Sequence, residues 1–204
     1  IAGGAAAVPI GIEGEEKFRG RGLSYCATCD GPFFRGLNVY VVGGGDSAIQ
    51  EALYLTKFAK KVTVIHRRQE LRAAKSLQEK AFKDGKIDFM FDTVIKEIHG
   101  NDIIEAMTLE NVKDGQITEM KADPNDGTFG VFGFVGYKPK SELYSGKLHM
   151  ENGYITTDEE MRTNIPGVFA AGDIRKKSLR QVATAVADGA IAAVQAEKYL
   201  EEYL

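Results

Sequence analysis

Cys26 and Cys29 are the only two cysteines in the sequence, and they stand in the run Ser24-Tyr-Cys-Ala-Thr-Cys-Asp-Gly31. Two thiols are too few to staple a secreted scaffold. They are also too few for a four-ligand zinc site, because His66, His99 and His149 all lie far from them in sequence. A spacing of three lets both sulfurs meet on a turn or on the first turn of a helix, where the pair can cycle between dithiol and disulfide. The same spacing also suits two buried, inert thiols. Asp30 favours the redox reading, since a carboxyl group beside a sulfur can move protons during exchange.

A second chemical motif is Gly43-Gly44-Gly45-Asp46-Ser47-Ala48, which fits G-x-G-x-x-A. Gly43 allows a tight turn, Gly45 lets a pyrophosphate approach the backbone, and Ala48 lets helix and strand pack closely. The helix that follows offers unpaired N–H groups to phosphate. In such a loop an acidic residue about 20 positions on binds the ribose 2′-hydroxyl of NAD. Here His66-Arg67-Arg68 occupies that place, with Arg72 one helical turn later. Guanidinium groups suit a 2′-phosphate through planar, paired donors, so the sequence predicts NADP(H) over NAD(H).

These groups need elements to hold them. Residues 38–42 (Asn-Val-Tyr-Val-Val) predict a buried strand, 46–59 a helix with Ile49, Ala52 and Leu53 near one face, and 61–66 a second strand. That is a parallel strand–helix–strand unit. A polar helix over 75–84 follows, then strands near 87–91, 94–99, 103–112 and 116–121, with Asp114-Gly115 as a hairpin turn. This run predicts an antiparallel excursion on a parallel sheet. Residues 129–135 predict a further strand ending at Gly136. Beyond it come a short strand near 154–157 and an Ala-rich helix over 180–199, read as a core-packing helix rather than a membrane one because it carries Asp188, Gln195 and Glu197.

The chain has 204 residues, 44% hydrophobic and 27% charged, with a net charge of −3. That composition excludes a disordered chain. The absence of a run of about 18 apolar residues argues against a membrane span, and the mild acidity argues against a nucleic-acid or anionic-membrane partner.

Taken in order, Ser24–Gly31, Val42–Ala48, Glu51-Ala-Leu-Tyr-Leu-Thr56, His66-Arg-Arg-x-x-x-Arg72-Ala73, Phe169-Ala-Ala-Gly-Asp173 and Arg180-Gln181 resemble bacterial low-molecular-weight thioredoxin reductase along the whole chain. The resemblance implies a cytoplasmic, homodimeric flavoenzyme in which electrons pass from NADPH through FAD and the Cys26–Cys29 pair to thioredoxin. It implies that Cys29 faces the flavin, Cys26 attacks the partner disulfide and Asp30 is the general acid. Gly172 and Asp173 would meet the FAD ribityl and phosphate groups, Arg180, Gln181 and Val182 would lie near the isoalloxazine, and Gly136 would border the NADPH site. The implied fold is a Rossmann-like NADPH domain (residues 9–136) with a central parallel sheet and an antiparallel excursion, inserted into a partial FAD domain (1–8 and 137–204). The family's first dinucleotide fingerprint, which cradles the FAD pyrophosphate, is absent. The chain, which opens at Ile1, therefore reads as a piece of a longer protein. The related flavoprotein of alkyl hydroperoxide reductase shares a Cys-x-x-Cys-Asp-Gly segment but usually lacks the arginine cluster. A non-catalytic NADPH-binding module is the other alternative.

Overall fold

The computed structural model describes residues 1–203 and divides into two compact units. One unit joins Ile1–Ala7 to the chain from Tyr137 onward, and the other is Val8–Gly136. In chain order the elements are β1 (Ala5–Ala7), α1 (Glu15–Phe18), β2 (Leu23–Ser24), α2 (Ala27–Asp30), β3 (Asn38–Val42), α3 (Asp46–Leu55), β4 (Lys61–Ile65), α4 (Lys75–Lys83), β5 (Ile87–Met90), β6 (Thr93–His99), β7 (Ala106–Asn111), β8 (Ile117–Lys121), β9 (Gly130–Gly133), β10 (Tyr137–Pro139), β11 (Met150–Glu151), β12 (Tyr154–Ile155) and α5 (Val182–Tyr203).

In the Val8–Gly136 unit a five-stranded parallel sheet has the order β2-β9-β3-β4-β5. Its strands are apolar on both faces because both are covered. Val39, Val41, Val62 and Val64 meet Ala48, Ile49, Ala52 and Leu55 of α3 on one face. Tyr40, Ile65 and Val131 meet Ile95, Ile98, Met107 and Leu109 on the other. Those last residues belong to the three-stranded antiparallel sheet β6-β7-β8, which is the predicted excursion. Its β7–β8 turn carries Gly115 at φ 72°. The helix α3 ends at Leu55 rather than at 59, because its last turn tightens: Lys57 N–H bonds to the Tyr54 carbonyl and Phe58 N–H to that of Leu55.

In the other unit β1 pairs with β10 and β11 with β12, both antiparallel. Leu148, Ile155, Ala170 and Ile174 form its small apolar core. The positions that the long helix buries are polar, Asp188 and Gln195, while Val182, Val186 and Leu200 are exposed. Its buried positions are held by polar bonds, and Tyr199 adds an edge-on contact with the Phe169 ring. Asp188 pairs with Arg175 and Lys177 at 2.9 and 2.8 Å, and Gln195 accepts from Arg162 at 3.1 Å. Among the described residues no helix is long and apolar enough to cross a membrane.

Candidate functional site

All five strands of the parallel sheet run the same way, so their carboxyl ends lie on one edge. The register sets Ser24 beside Phe132, Val42 beside Gly133 and Ile65, and Ile65 beside Met90. The segments leaving that edge are the cysteine turn after β2, the glycine loop after β3, the arginine loop after β4 and Phe134–Gly136 after β9. The β2 and β3 ends are two strand spacings apart, roughly 10 Å. β4 and β9 flank β3 on opposite sides, which makes the glycine loop a topological switch point, the place where open α/β sheets take ligands.

Cys26 and Cys29 form a disulfide across the start of α2, with Cα atoms 5.2 Å apart. The Cys29 N–H points at Cys26 Sγ, 3.1 Å away, where it favours a thiolate once the bond is open. Asp30 closes the same turn, its N–H bonded to the Cys26 carbonyl at 3.1 Å. Its Oδ2 accepts a 2.6 Å hydrogen bond from the buried hydroxyl of Ser24.

The glycine loop is built as the fingerprint demands. Gly43 has φ 151°, and a Cβ there would lie 2.6 Å from the Phe134 carbonyl oxygen and 2.7 Å from Ala48 Cβ. A Cβ on Gly44 would lie only 2.4 Å from the His66 ring, a clash, whereas Gly45 faces open space that a phosphate could fill. Ala48 is fully buried, and Asp46 and Ser47 are exposed. The Gly44 carbonyl accepts from Arg72 N–H at 2.7 Å and Ala73 N–H at 3.1 Å, and Asp46 Oδ1 accepts from Ala74 N–H at 2.7 Å. These bonds strap the arginine loop to the glycine loop.

His66 is only 6% exposed, and its Nε2 lies 3.1 Å from the Glu70 carbonyl oxygen. Burial lowers its pKa below the usual histidine value; the Glu70 carbonyl works against that, and the positive charges of Arg72, Arg68 and Arg67 add to it. Arg67, Arg68 and Arg72 are exposed and make no ion pair among the described residues. A cavity of about 500 Å³ opens at this edge, lined by Gly43, Gly44, His66, Arg67 and Arg72, by Val8–Ile12, Thr93–Lys96, and by Val42, Phe134 and Val135. Arg68 and Gly136 are not in its wall; Gly136 instead ends the unit, its carbonyl accepting from Val8 N–H at 2.9 Å.

The remaining candidates belong to the other unit. Gly172 N–H donates to Asp188 Oδ2 at 3.0 Å. Burial pushes the Asp188 carboxyl up, but hydrogen bonds from Lys177, Arg175 and Gly172 outweigh it and hold the group below its ordinary value. Asp173 Oδ1 and Arg180 Nε are buried without a hydrogen-bond partner among the described residues. The Arg180 guanidinium lies 4.0 Å over the Tyr154 ring. Gln181 N–H bonds to Thr184 Oγ1 at 3.1 Å, and Val182 is exposed at the start of α5. Asp173 Oδ1 has an ion-pair contact only, to Lys177 Nζ at 4.0 Å, and together with the Arg180 Nε donor it suits a polyol-bearing ligand such as the FAD ribityl group.

Two residues of this site were not singled out from the sequence. Ser24 opens the cysteine run, but nothing in the spacing gives it a role. Glu15, 8% exposed, accepts from the N–H groups of Ile10 at 2.8 Å, Gly11 at 2.7 Å and Ile12 at 3.2 Å, and from the Tyr25 hydroxyl. It thereby joins one wall of the cavity to the residue preceding Cys26. Gly14-Glu15-Glu16 was readable as a helix start, but not as this junction.

Residues 1–189 match the family model described as pyridine nucleotide-disulphide oxidoreductase. The chain is 61% identical over 203 residues to a thioredoxin reductase of Peptoclostridium litorale, covering 99% of the chain and 64% of that relative. It is 59% identical to one of Peptoclostridium acidaminophilum, covering 98% and 64%. The crystal structure of thioredoxin reductase from Streptococcus pyogenes MGAS5005 superposes with a TM-score of 0.93 at 52% identity, over 99% of the chain and 65% of that structure. The chain thus spans about 64% of the length of the curated relatives it matches.

Proposed function

The chain belongs to the pyridine nucleotide-disulphide oxidoreductase family, and on that premise we propose that it is the dithiol- and NADPH-bearing part of a thioredoxin reductase. The observation that carries this reading is the shared edge: one parallel sheet presents a disulfide and a dinucleotide cradle with unspent arginines side by side. The glycine loop and the α3 N-terminus would hold the pyrophosphate. Arg67, Arg68 and Arg72 would take the 2′-phosphate and set the preference for NADPH. Gly172, Asp173, Arg180, Gln181 and Val182 would hold FAD, and the buried Asp173 Oδ1 and Arg180 Nε, neither of which has a hydrogen-bond partner among the described residues, fit that assignment. When bound, FAD supplies a two-electron carrier between nicotinamide and disulfide.

The chain's own residues do the rest. Two electrons break the Cys26–Cys29 bond and leave two sulfurs that need protons, one of which Asp30 supplies. Cys26, with the Cys29 N–H directed at its sulfur, then attacks the disulfide of thioredoxin. Cys29 resolves the mixed disulfide, so the S–S bond re-forms here as it opens in the partner. The family resemblance further supports a cytoplasmic homodimer.

The test is the visible spectrum of purified protein. A flavin band bleached by NADPH, with electrons passed on to oxidised thioredoxin, upholds the proposal. Colourless protein retained on a 2′,5′-ADP resin leaves an NADPH-binding module with a dithiol. Protein that neither carries flavin nor binds the resin overturns the reading.

A further inference from the structure

Ser24 is 5% exposed at the carboxyl end of β2, with its side chain inside the cysteine turn. Its Oγ accepts from the Cys26 N–H at 3.1 Å and lies 2.6 Å from Asp30 Oδ2 and 3.4 Å from the Cys26 carbonyl oxygen. A hydroxyl has one proton to give. The shorter contact, to a carboxylate acceptor, takes it.

One side chain therefore fixes both ends of the redox turn: the backbone that carries Cys26 and the carboxylate that closes the turn. Because Ser24 occupies Oδ2, the oxygen left to carry a transferable proton is Oδ1. We infer that Ser24 is the positioning residue for Asp30, aiming its Oδ1 as the proton donor to the sulfur that leaves when the disulfide opens. This rests on the proposed role of Asp30 and extends it to a residue that touches neither substrate nor cofactor.

The step balances with any dithiol reductant. A reductant thiolate attacks one sulfur of the disulfide. The other sulfur departs with the bonding pair and takes the Asp30 proton; the reductant's second thiol then loses its proton to solvent and closes its own ring, expelling the attacked cysteine sulfur as a thiolate that solvent protonates. Asp30 regains a proton from solvent.

The whole chain can be tested without flavin. It is mixed with excess dithiothreitol from pH 5 to 9, and opening of Cys26–Cys29 is followed by quenching, alkylation and mass spectrometry. Asp30→Asn should slow opening by about a hundredfold. Ser24→Ala should slow it about tenfold and change the pH–rate profile toward that of Asp30→Asn, and Ser24→Thr should restore both. The double variant should be no slower than Asp30→Asn alone, because the two residues act through one carboxyl. Calorimetric binding of 2′,5′-ADP at the wild-type affinity shows that Ser24→Ala keeps its fold; should it fail to fold, Ser24→Thr and Ser24→Cys are compared, and only the hydroxyl-bearing variant should keep the wild-type profile. Opening of Ser24→Ala at the wild-type rate while Asp30→Asn is slow overturns the inference alone, as does a fully additive double variant. Opening of Asp30→Asn at the wild-type rate overturns the proton role of Asp30 and the inference with it.

Discussion

Replacing Glu15 with Gln keeps size and shape but removes one of two acceptor oxygens. In the protein Oε1 serves the Ile10 N–H and the Tyr25 hydroxyl, and Oε2 serves the N–H groups of Gly11 and Ile12. A glutamine can face either pair with its oxygen. With NH₂ toward the Oε2 side, Gly11 and Ile12 lose their partner. With NH₂ toward the Oε1 side, Ile10 loses that oxygen and keeps only its longer contact to the Tyr25 hydroxyl, at 3.4 Å. The second arrangement costs less, yet it leaves one backbone donor facing another and turns charge-assisted bonds into neutral ones. At about 1–3 kcal/mol for an unmade bond, the expected loss is about 2–4 kcal/mol. The readout is amide hydrogen exchange at Ile10, Gly11 and Ile12, where that range corresponds to exchange roughly 30- to 900-fold faster. Because Ile10–Ile12 also line the cavity, 2′,5′-ADP should bind more weakly. Tyr25→Phe, which leaves the carboxylate its three amides, should accelerate exchange far less. Exchange in Glu15→Gln within threefold of wild type would refute the reasoning, by showing that these donors do not depend on the carboxylate.

Other substitutions probe the rest of the framework. Gly44→Ala should abolish 2′,5′-ADP binding in calorimetry, since the new methyl must displace the His66 ring and loosen the arginine loop beneath it. Arg67→Ala with Arg68→Ala should weaken NADPH about tenfold to a hundredfold and NADH little, the cost of losing a charged hydrogen bond; equal losses on a binding titration would remove the 2′-phosphate role. Asp188→Asn should destabilise its unit by about 1.5–3 kcal/mol in urea unfolding, because Arg175 and Lys177 lose their shared carboxylate and keep only Thr157 and Asp158 for the one and Asp173, at 4.0 Å, for the other. For His66 the folded protein favours the neutral ring, so the unfolded chain binds more protons below the ordinary histidine value. Stability from this group is complete above about pH 6.5 and is lost as pH falls through the lowered folded value. The urea midpoint should drop between pH 7 and 5, and His66→Gln should flatten that slope.

Much of the architecture was legible in the sequence because its signals are local. The valine-rich run 38–42, the glycine loop and the strand at 61–66 announce a parallel unit through residue type and spacing alone. The paired cysteines announced a turn able to close a disulfide, and the turn closes one. The end of α3 was misplaced because helix periodicity runs on through Ala59, whereas the chain tightens after Leu55 to reach β4. The inward face of the Ala-rich helix was not legible for a related reason. Composition shows which residues prefer burial, but the cations of Arg175 and Lys177 decide that Asp188 faces inward.

What the sequence determined by itself was the inventory and the local frame: a thiol pair beside a carboxylate, a phosphate loop between strand and helix, and arginines where the cofactor choice is made. What only the tertiary structure decided was which groups share an acceptor. Glu15 meets Tyr25 and the amides of Ile10–Ile12, Ser24 meets Asp30 across the cysteine turn, and His66 lies beneath Gly44. Those partnerships depend on directional bonds a few ångströms long between segments that come together only when the strands pair. Spacing along the chain carries no record of them.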